Sequence, residues 1–333
     1  MRFGPVPLSE AEGAILAHSV QLAEGRLRKG CVLGADEIAR LRRSGRTEVI
    51  AARLDAADLH EDAAALAIAE ALVPDPEAAG LELRAVGTGR VNLHARAAGV
   101  VEVLADRVDA LNAVDAMITL ATVPRWQRVA AGEMVATVKI IAYGVAKAAV
   151  AKACQSGAGG LRLCPARLRR IVLVETHIEP EAKPLAVTAI TRRLAALDAE
   201  LSSHLHCPHK LDGLAGALAQ VRGAELILIL TASATSDPED VAPGALRRAG
   251  GTVARFGMPV DPGNLLFIGQ LDETPVIGLP GCARSPALNG ADWVMERLIC
   301  GVPVSAADIA GMGVGGLLKE IPTRGRPREA RPE

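Results

Sequence analysis

Three loops between Ala224 and Pro286 carry the residue types that could hold an anion. The strand Glu225 to Leu230 runs into Thr231-Ala232-Ser233-Ala234-Thr235-Ser236-Asp237-Pro238-Glu239-Asp240; the others are Gly257-Met258-Pro259-Val260-Asp261-Pro262-Gly263-Asn264 and Gly278-Leu279-Pro280-Gly281-Cys282-Ala283-Arg284-Ser285-Pro286. In the first, small residues let a ligand approach the backbone, while Thr231, Ser233, Thr235 and Ser236 offer hydroxyl donors. Asp237, Pro238 and Asp240 then read as N-cap, N1 and N3 of the next helix, whose free amides would add donors for an anion. An ordinary αβ loop with a helix cap explains the same residues. Asp237 and Asp240 would repel a phosphate unless a divalent cation lay between, so the ligand reading implies Mg²⁺. In the second loop Gly263 supplies a sharp turn, and Asp261 and Asn264 could face a ligand. In the third, Gly281 and Ser285 flank Arg284, whose forked guanidinium suits phosphate or carboxylate.

These loops need a scaffold that brings strand ends together. Downstream of Cys154-Gln155-Ser156-Gly157-Ala158-Gly159-Gly160, which has a linker composition, apolar strands alternate with helical patterns: Ile171 to Val174, helix Leu185 to Leu197, Ala199 to Ser203, helix Leu211 to Val221, Glu225 to Leu230, helix Val241 to Ala249, Thr252 to Phe256. A strand pair, Asn264 to Gly269 and Pro275 to Gly278, and a helix, Ala287 to Cys300, complete the series. Such alternation predicts an α/β domain over 167–318, three layers deep, with a mostly parallel doubly wound sheet. In such sheets ligands sit beyond the carboxyl ends of the strands.

The first half, 1–160, reads as a mixed α+β region. Ser9 to Leu72 looks mainly helical with short strands, Thr47 to Ala51 among them, with Asp36 capping one helix and Asp58, backed by Glu61, capping another. Residues 81–150 look β-rich, and Val129 to Lys139 has the texture of a hairpin from a small barrel or sandwich. The tail, 319–333, reads as disordered.

Bulk composition excludes several functions. The 333 residues balance 37 basic against 38 acidic groups, a formal charge of -1, and aromatics are 2% of the chain. Neither a field nor stacking platforms for nucleic acid are present. Met1 to Gly13 lacks the features of a secretion signal and no segment has a membrane-spanning apolar run, which predicts a cytoplasmic protein. Six scattered cysteines suit reduced thiols. His204 and His206 share a strand face with Cys207 and His209 close by, a spacing that could hold zinc; Pro208 favours a turn with incidental histidines. His18, His60, His94 and His177 stand alone and read as surface or satisfied core residues.

Asp240-Val241-Ala242-Pro243, then Met258 to Gly263, then Gly278-Leu279-Pro280-Gly281 stand in a definite order. The first looks like the Arg-Asp-Val-Thr-Pro stretch, and the others like the Met-x-Pro-Gly-Lys-Pro and Leu-Pro-Gly-Asn-Pro loops, of the molybdopterin-binding domain shared by molybdenum-insertion enzymes, molybdopterin-adenylylating enzymes and gephyrin. With Gly13 to Leu16, His60-Glu61-Asp62 and Val129 to Ile141, the whole chain resembles bacterial molybdopterin-binding proteins. Departures are Thr231 and Ala232 for tandem glycines, Asn264 for a lysine, and Cys282-Ala283 for Asn-Pro. The resemblance implies a protein of molybdenum cofactor biosynthesis that binds molybdopterin or its adenylylated form and hands it to a molybdoenzyme or a nucleotidyltransferase, as a homo-oligomer. If catalytic, it implies a Mg²⁺-dependent transferase: an adenylyltransferase using ATP or a molybdenumtransferase releasing AMP. Asp240, with Asp237, would then be catalytic and Asp240 the metal ligand, Ser233 and Thr235 would hold phosphate, and Arg284 would balance charge. A related domain in competence-damage proteins adds a dinucleotide hydrolase as a distant alternative.

Overall fold

The computed structural model describes residues 1–179 and 186–318. The chain divides into two compact units, one of 1–97 with 101–163 and one of 98–100 with 164 onward. Leu185, the start of an expected helix, and the expected disordered tail lie outside the described residues.

The first unit is richer in strands than its sequence suggests. Arg2–Pro7, Glu48–Arg53 and Ile15–Leu16 form an antiparallel sheet; the strand expected at Thr47 to Ala51 is its middle strand, while Ile15–Leu16 lies in a stretch expected to be mainly helical. The alternating apolar residues of these short segments, Leu16, Val49 and Ala51 among them, instead bury a small core with helix Ala35–Arg43. That helix begins one residue before the expected cap: Gly34 donates its amide to Glu37 Oε2 at 3.0 Å, and Asp36 lies within the first turn. Helix Glu61–Leu72 is likewise capped by His60, not Asp58, which pairs with the Met1 amine at 2.6 Å.

The expected small barrel or sandwich is an open sheet in the order Ile118–Thr122, Met134–Ile140, Arg90–Ala95, Leu81–Gly87, and helix Glu61–Leu72 packs against it. A helix covers the apolar face, so closure of the sheet is unnecessary. The expected flexible linker is largely helix, Lys147–Gly157. Gly157 is there for contact: a Cβ would fall 2.5 Å from Leu111 Cδ1.

The second unit holds a six-stranded sheet in the order Glu200–Pro208, Arg170–His177, Leu226–Leu230, Thr274–Leu279, Phe267–Leu271, Thr252–Phe256. The first three pairings are parallel and the last two antiparallel. Val172, Val174, Ile227, Ile229 and Val276 pack on one face with Leu214, Leu218 and Leu246 from helices Leu211–Gln220 and Val241–Arg248. The alternate residues Ile171, Leu173, Leu226, Leu228 and Ile277 are buried as well, so both faces are covered, as near-continuous apolar strands require. Helix Val187–Ala195 touches strand Glu200–Pro208, and helix Gly290–Ile299 touches strand Thr274–Leu279.

Two antiparallel steps return Thr252–Phe256 to the direction of the parallel strands. Residues 231, 257 and 280 therefore all leave the carboxyl edge of the sheet. The chain runs from Arg170–His177 outward to Glu200–Pro208, then crosses back to Leu226–Leu230 on the other side of its starting strand. Winding reverses between Arg170–His177 and Leu226–Leu230, which opens a crevice at their carboxyl ends.

Gly278 reports how tightly this sheet is built: a Cβ there would fall 1.8 Å from Phe267 Cε1. Gly278→Ala is expected to cost about 1–3 kcal/mol through overpacking. Urea unfolding of the full chain checks this; an unchanged midpoint would show that the Phe267 ring moves aside freely.

Candidate functional site

The crevice at the winding reversal is framed by polar groups that the fold buries. Thr176 and Thr231 end the two central strands, and both are buried. The Ala232 amide donates to Thr176 Oγ1 at 2.8 Å, and Thr176 Oγ1 lies 3.0 Å from His209 Nδ1. The His209 amide donates to the His177 carbonyl at 2.7 Å. On the other side of Leu226–Leu230, past the end of Thr274–Leu279, Arg284 donates from Nη2 to the Thr231 carbonyl at 2.5 Å. Its Nε is buried without a hydrogen-bond partner, so a charged donor remains available beside the first loop. The first and third loops are thus tied together through Arg284. Pro262 accepts the Gly290 amide at 2.8 Å, and this bond joins the second loop to the helix that follows the third.

Within the first loop the hydroxyls divide. The Thr231 hydroxyl donates to the Ser233 carbonyl at 2.6 Å and lies 3.1 Å from Thr235 Oγ1. Both threonine side chains are committed to loop shape, while Ser233, Ser236 and Asp237 are exposed. Asp240, not Asp237, is the N-cap: the helix starts at Val241, whose amide donates to Asp240 Oδ1 at 2.7 Å, and the Ser236 amide donates to Oδ2 at 3.1 Å. Asp237 closes the turn before it, accepting the Glu239 amide at 2.8 Å. The helix starts about one turn later than expected because Pro238 fits a β-turn as well as a helix N1. Among the described residues no group of three or more His, Cys, Asp or Glu side chains is arranged to hold a metal ion.

The second and third loops are set by backbone contacts. Gly263 approaches Gly290 so closely that a Cβ would lie 2.8 Å from the Gly290 nitrogen. Asn264 Nδ2 donates to Met258 O at 3.4 Å within its own loop, and the Asp261 amide donates to Gly316 O at 2.8 Å. Gly281 opens a short 3₁₀ turn, Gly281–Arg284, and Ser285 Oγ accepts the Ala287 amide at 3.3 Å.

Arg193 went unnoticed in the sequence and organises the third loop. Its five donors all find acceptors: Asp292 Oδ1, Ala189 O at 3.3 Å, Ala283 O at 3.0 Å, Ser285 O at 2.7 Å and Ala287 O at 2.9 Å. Asp292 also accepts the Asn289 amide at 2.8 Å, while Asn289 accepts the Ala291 amide at 2.9 Å. The Asn289-x-x-Asp292 capping box was legible as a spacing. Arg193 was not, because Arg192 beside it is equally charged and only packing tells which one turns inward.

His177 also differs from expectation: it does not stand alone. Parallel register pairs Glu175 with His206 and Leu173 with His204, so Glu175, His177, His204 and His206 share one face. The rings of His177 and His206 lie 4.5 Å apart, those of His204 and His206 6.3 Å apart, and His204 Nε2 lies 3.3 Å from Glu175 Oε2. Cys207, the neighbour expected to share a zinc site, is buried on the opposite face, and His209 turns to Thr176. Burial first, then His177 and His204, hold the His206 imidazole below the usual histidine range against an opposing pull from Glu175. All six cysteines are free thiols, and burial pushes Cys300 up to about 12.

Residues 5–53 match a family model described as a domain of unknown function, DUF8806. No curated protein matches the chain in sequence. Solved structures with some likeness include a molybdopterin biosynthesis MoeA protein from Pyrococcus horikoshii, with 12% identity over 90% of this chain and 75% of that one and a TM-score of 0.33. A molybdopterin biosynthesis protein from Mycobacterium abscessus matches 40% of this chain and 94% of its own at 13% identity and a TM-score of 0.29. The molybdopterin biosynthesis enzyme MoaB from Thermus thermophilus matches 41% of this chain and 99% of its own at 19% identity and a TM-score of 0.29. No helix among the described residues is long and apolar enough to cross a membrane.

Removing the Arg193 guanidinium would leave the buried Asp292 carboxylate without its partner and three loop carbonyls unsatisfied. Arg193→Ala is expected to lose about 3–5 kcal/mol of stability. Arg193→Lys, a point charge without the fork, should fall between. Denaturant unfolding of the three proteins checks the order; equal midpoints for Lys and Arg would remove the clamp assignment.

Proposed function

We propose that the second unit binds molybdopterin or its adenylylated form at the carboxyl edge of its sheet, and that the protein serves molybdenum cofactor biosynthesis or handling. The observation that supports this most is the run of bonds along the carboxyl edge, Ala232 to Thr176 across the winding reversal and Arg284 to Thr231 on the other side of Leu226–Leu230. It holds a buried guanidinium nitrogen, without a partner, where the ordered loop motifs of the molybdopterin-binding domain would place a phosphorylated ligand. Arg284 supplies the charge, and the exposed Ser233 and Ser236 supply hydroxyls at the rim. Thr231 and Thr235 act through the loop's shape, because their hydroxyls already have partners.

Binding is the first reading and transfer chemistry the second. Three protein carboxylates do not gather here, yet Mg²⁺ held largely by ligand phosphate oxygens and water needs only one or two. Asp240 is the carboxylate available for that role, with Asp237 beside it, since each of its oxygens accepts one amide and retains a lone pair. When bound, such a cation would neutralise phosphate charge during adenylyl transfer or molybdate insertion. The protein's own part would be to hold the phosphate against Arg284 and orient it on the loop amides.

Arg284→Gln is expected to weaken molybdopterin binding about 10- to 100-fold, the loss of a charge-assisted hydrogen bond, with the unfolding midpoint measured alongside. Asp240→Asn keeps a good N-cap but loses the charge, so it separates helix capping from cation binding. It should bind molybdopterin like the parent without Mg²⁺ and lose any stimulation by Mg²⁺. Incubation with ATP, Mg²⁺ and molybdopterin, followed by mass spectrometry, distinguishes carrier from transferase. Unchanged ligand means a carrier, adenylylated product means a transferase, and no bound pterin in either case overturns the proposal.

A further inference from the structure

The small core at the start of the first unit carries an uneven charge on its outside. Hairpin strands Val20–Leu22 and Gly25–Leu27 turn Val20, Leu22 and Leu27 inward, which leaves Arg26 facing out, and Arg28 and Lys29 follow it, all three exposed. Helix Ala35–Arg43 buries Ile38 and Leu41 in the same core, while its end and the residues just after it expose Arg42, Arg43 and Arg46. Glu24, in the hairpin turn, joins the two elements: its carbonyl accepts Arg40 Nη2 at 3.3 Å and its carboxylate lies 3.2 Å from Arg43 Nη2. The other acids of 24–46, Asp36 and Glu37, stand in the first turn of the helix, about 10 Å away along its axis, and Glu37 is bonded to the Gly34 amide.

Cations in the last turn of a helix complement its dipole, so Arg40, Arg42 and Arg43 by themselves would suggest nothing more. Arg26, Arg28 and Lys29 serve no helix end, yet the Glu24 bonds bring their strand to this one. We infer that the basic face of residues 24–46 docks an acidic segment of a partner protein, whose carboxylates replace Glu24 on Arg43 and reach the cations around it. Glu24 shows the fit, because a carboxylate already seats on this surface. Its pair with Arg43 is exposed at both ends, 65% and 59%, and so is readily exchanged. Guanidinium forks match carboxylates in shape as well as charge. A single-stranded nucleic acid would need rings to stack on, and 4–53 holds no Phe, Tyr or Trp. This surface belongs to the first unit and is independent of the ligand site proposed in the second.

Fluorescence anisotropy of a labelled decaglutamate peptide, titrated with the full chain at low and at high salt, tests the docking. Binding should be present at low salt and weaken as salt screens it. Glu24→Gln removes the competing carboxylate and should tighten binding about two- to fivefold. Arg26→Glu combined with Arg28→Glu should weaken it about tenfold or more through like-charge repulsion. Lys152→Glu, the same charge reversal at an exposed position of helix Lys147–Gly157, should leave the affinity within about twofold of the parent. Circular dichroism checks that each variant keeps its fold, and should the double variant lose it, the Glu24→Gln result decides. No binding at low salt, an affinity unchanged by salt or by Glu24→Gln, or equal losses in the Lys152 variant and the double variant would each overturn the inference. A single-stranded oligonucleotide of equal length that binds more tightly than the peptide would overturn it too, in favour of a nucleic-acid site.

Discussion

The carboxyl edge of the second unit depends on one buried arginine. Arg193 reaches from helix Val187–Ala195 to the carbonyls of Ala283, Ser285 and Ala287 and to the carboxylate of Asp292. A loop has no ladder of its own, so its carbonyls must find donors elsewhere or remain in water. A planar fork with five donors is the one side chain that can collect several of them at once. With that segment held, Arg284 can meet the Thr231 carbonyl, and the first loop is fixed in turn.

Satisfied and unsatisfied polar groups divide the edge into scaffold and candidate contact surface. Thr231, Thr235, Asp240, Asn264 and Ser285 all bond to their own loops. Among the described residues, the buried nitrogens without a hydrogen bond include Arg284 Nε, which belongs to a charged group, along with His177 Nδ1, His204 Nε2 and Asn289 Nδ2. A buried donor without an acceptor is costly unless something supplies the acceptor. That cost favours an anionic ligand over an apolar one.

Glycine acts here through proximity more than through mobility. Gly157, Gly263 and Gly278 each stand where a Cβ would meet a neighbour at 2.8 Å or less. The run from Gln155 to Gly160 has the composition of a linker, yet Gly157 ends a helix packed against Leu111 and Leu72. Composition by itself does not distinguish a residue that is small to be flexible from one that is small to be touched.

The sequence by itself determined the alternation of strand and helix after residue 164 and the position of the small-residue loops, because each depends on neighbours close along the chain. In the first 80 residues it revealed the helices after Asp36 and before Val73 and the strand at Thr47, but not short strands such as Ile15–Leu16, which carry too few residues to display a period. Tertiary structure alone decided that Arg193, and not Arg192, turns inward, that Cys207 faces away from His206, and that His177 has a neighbour. Those outcomes depend on parallel register and helix placement, which bring together residues tens of positions apart, and no local pattern encodes that.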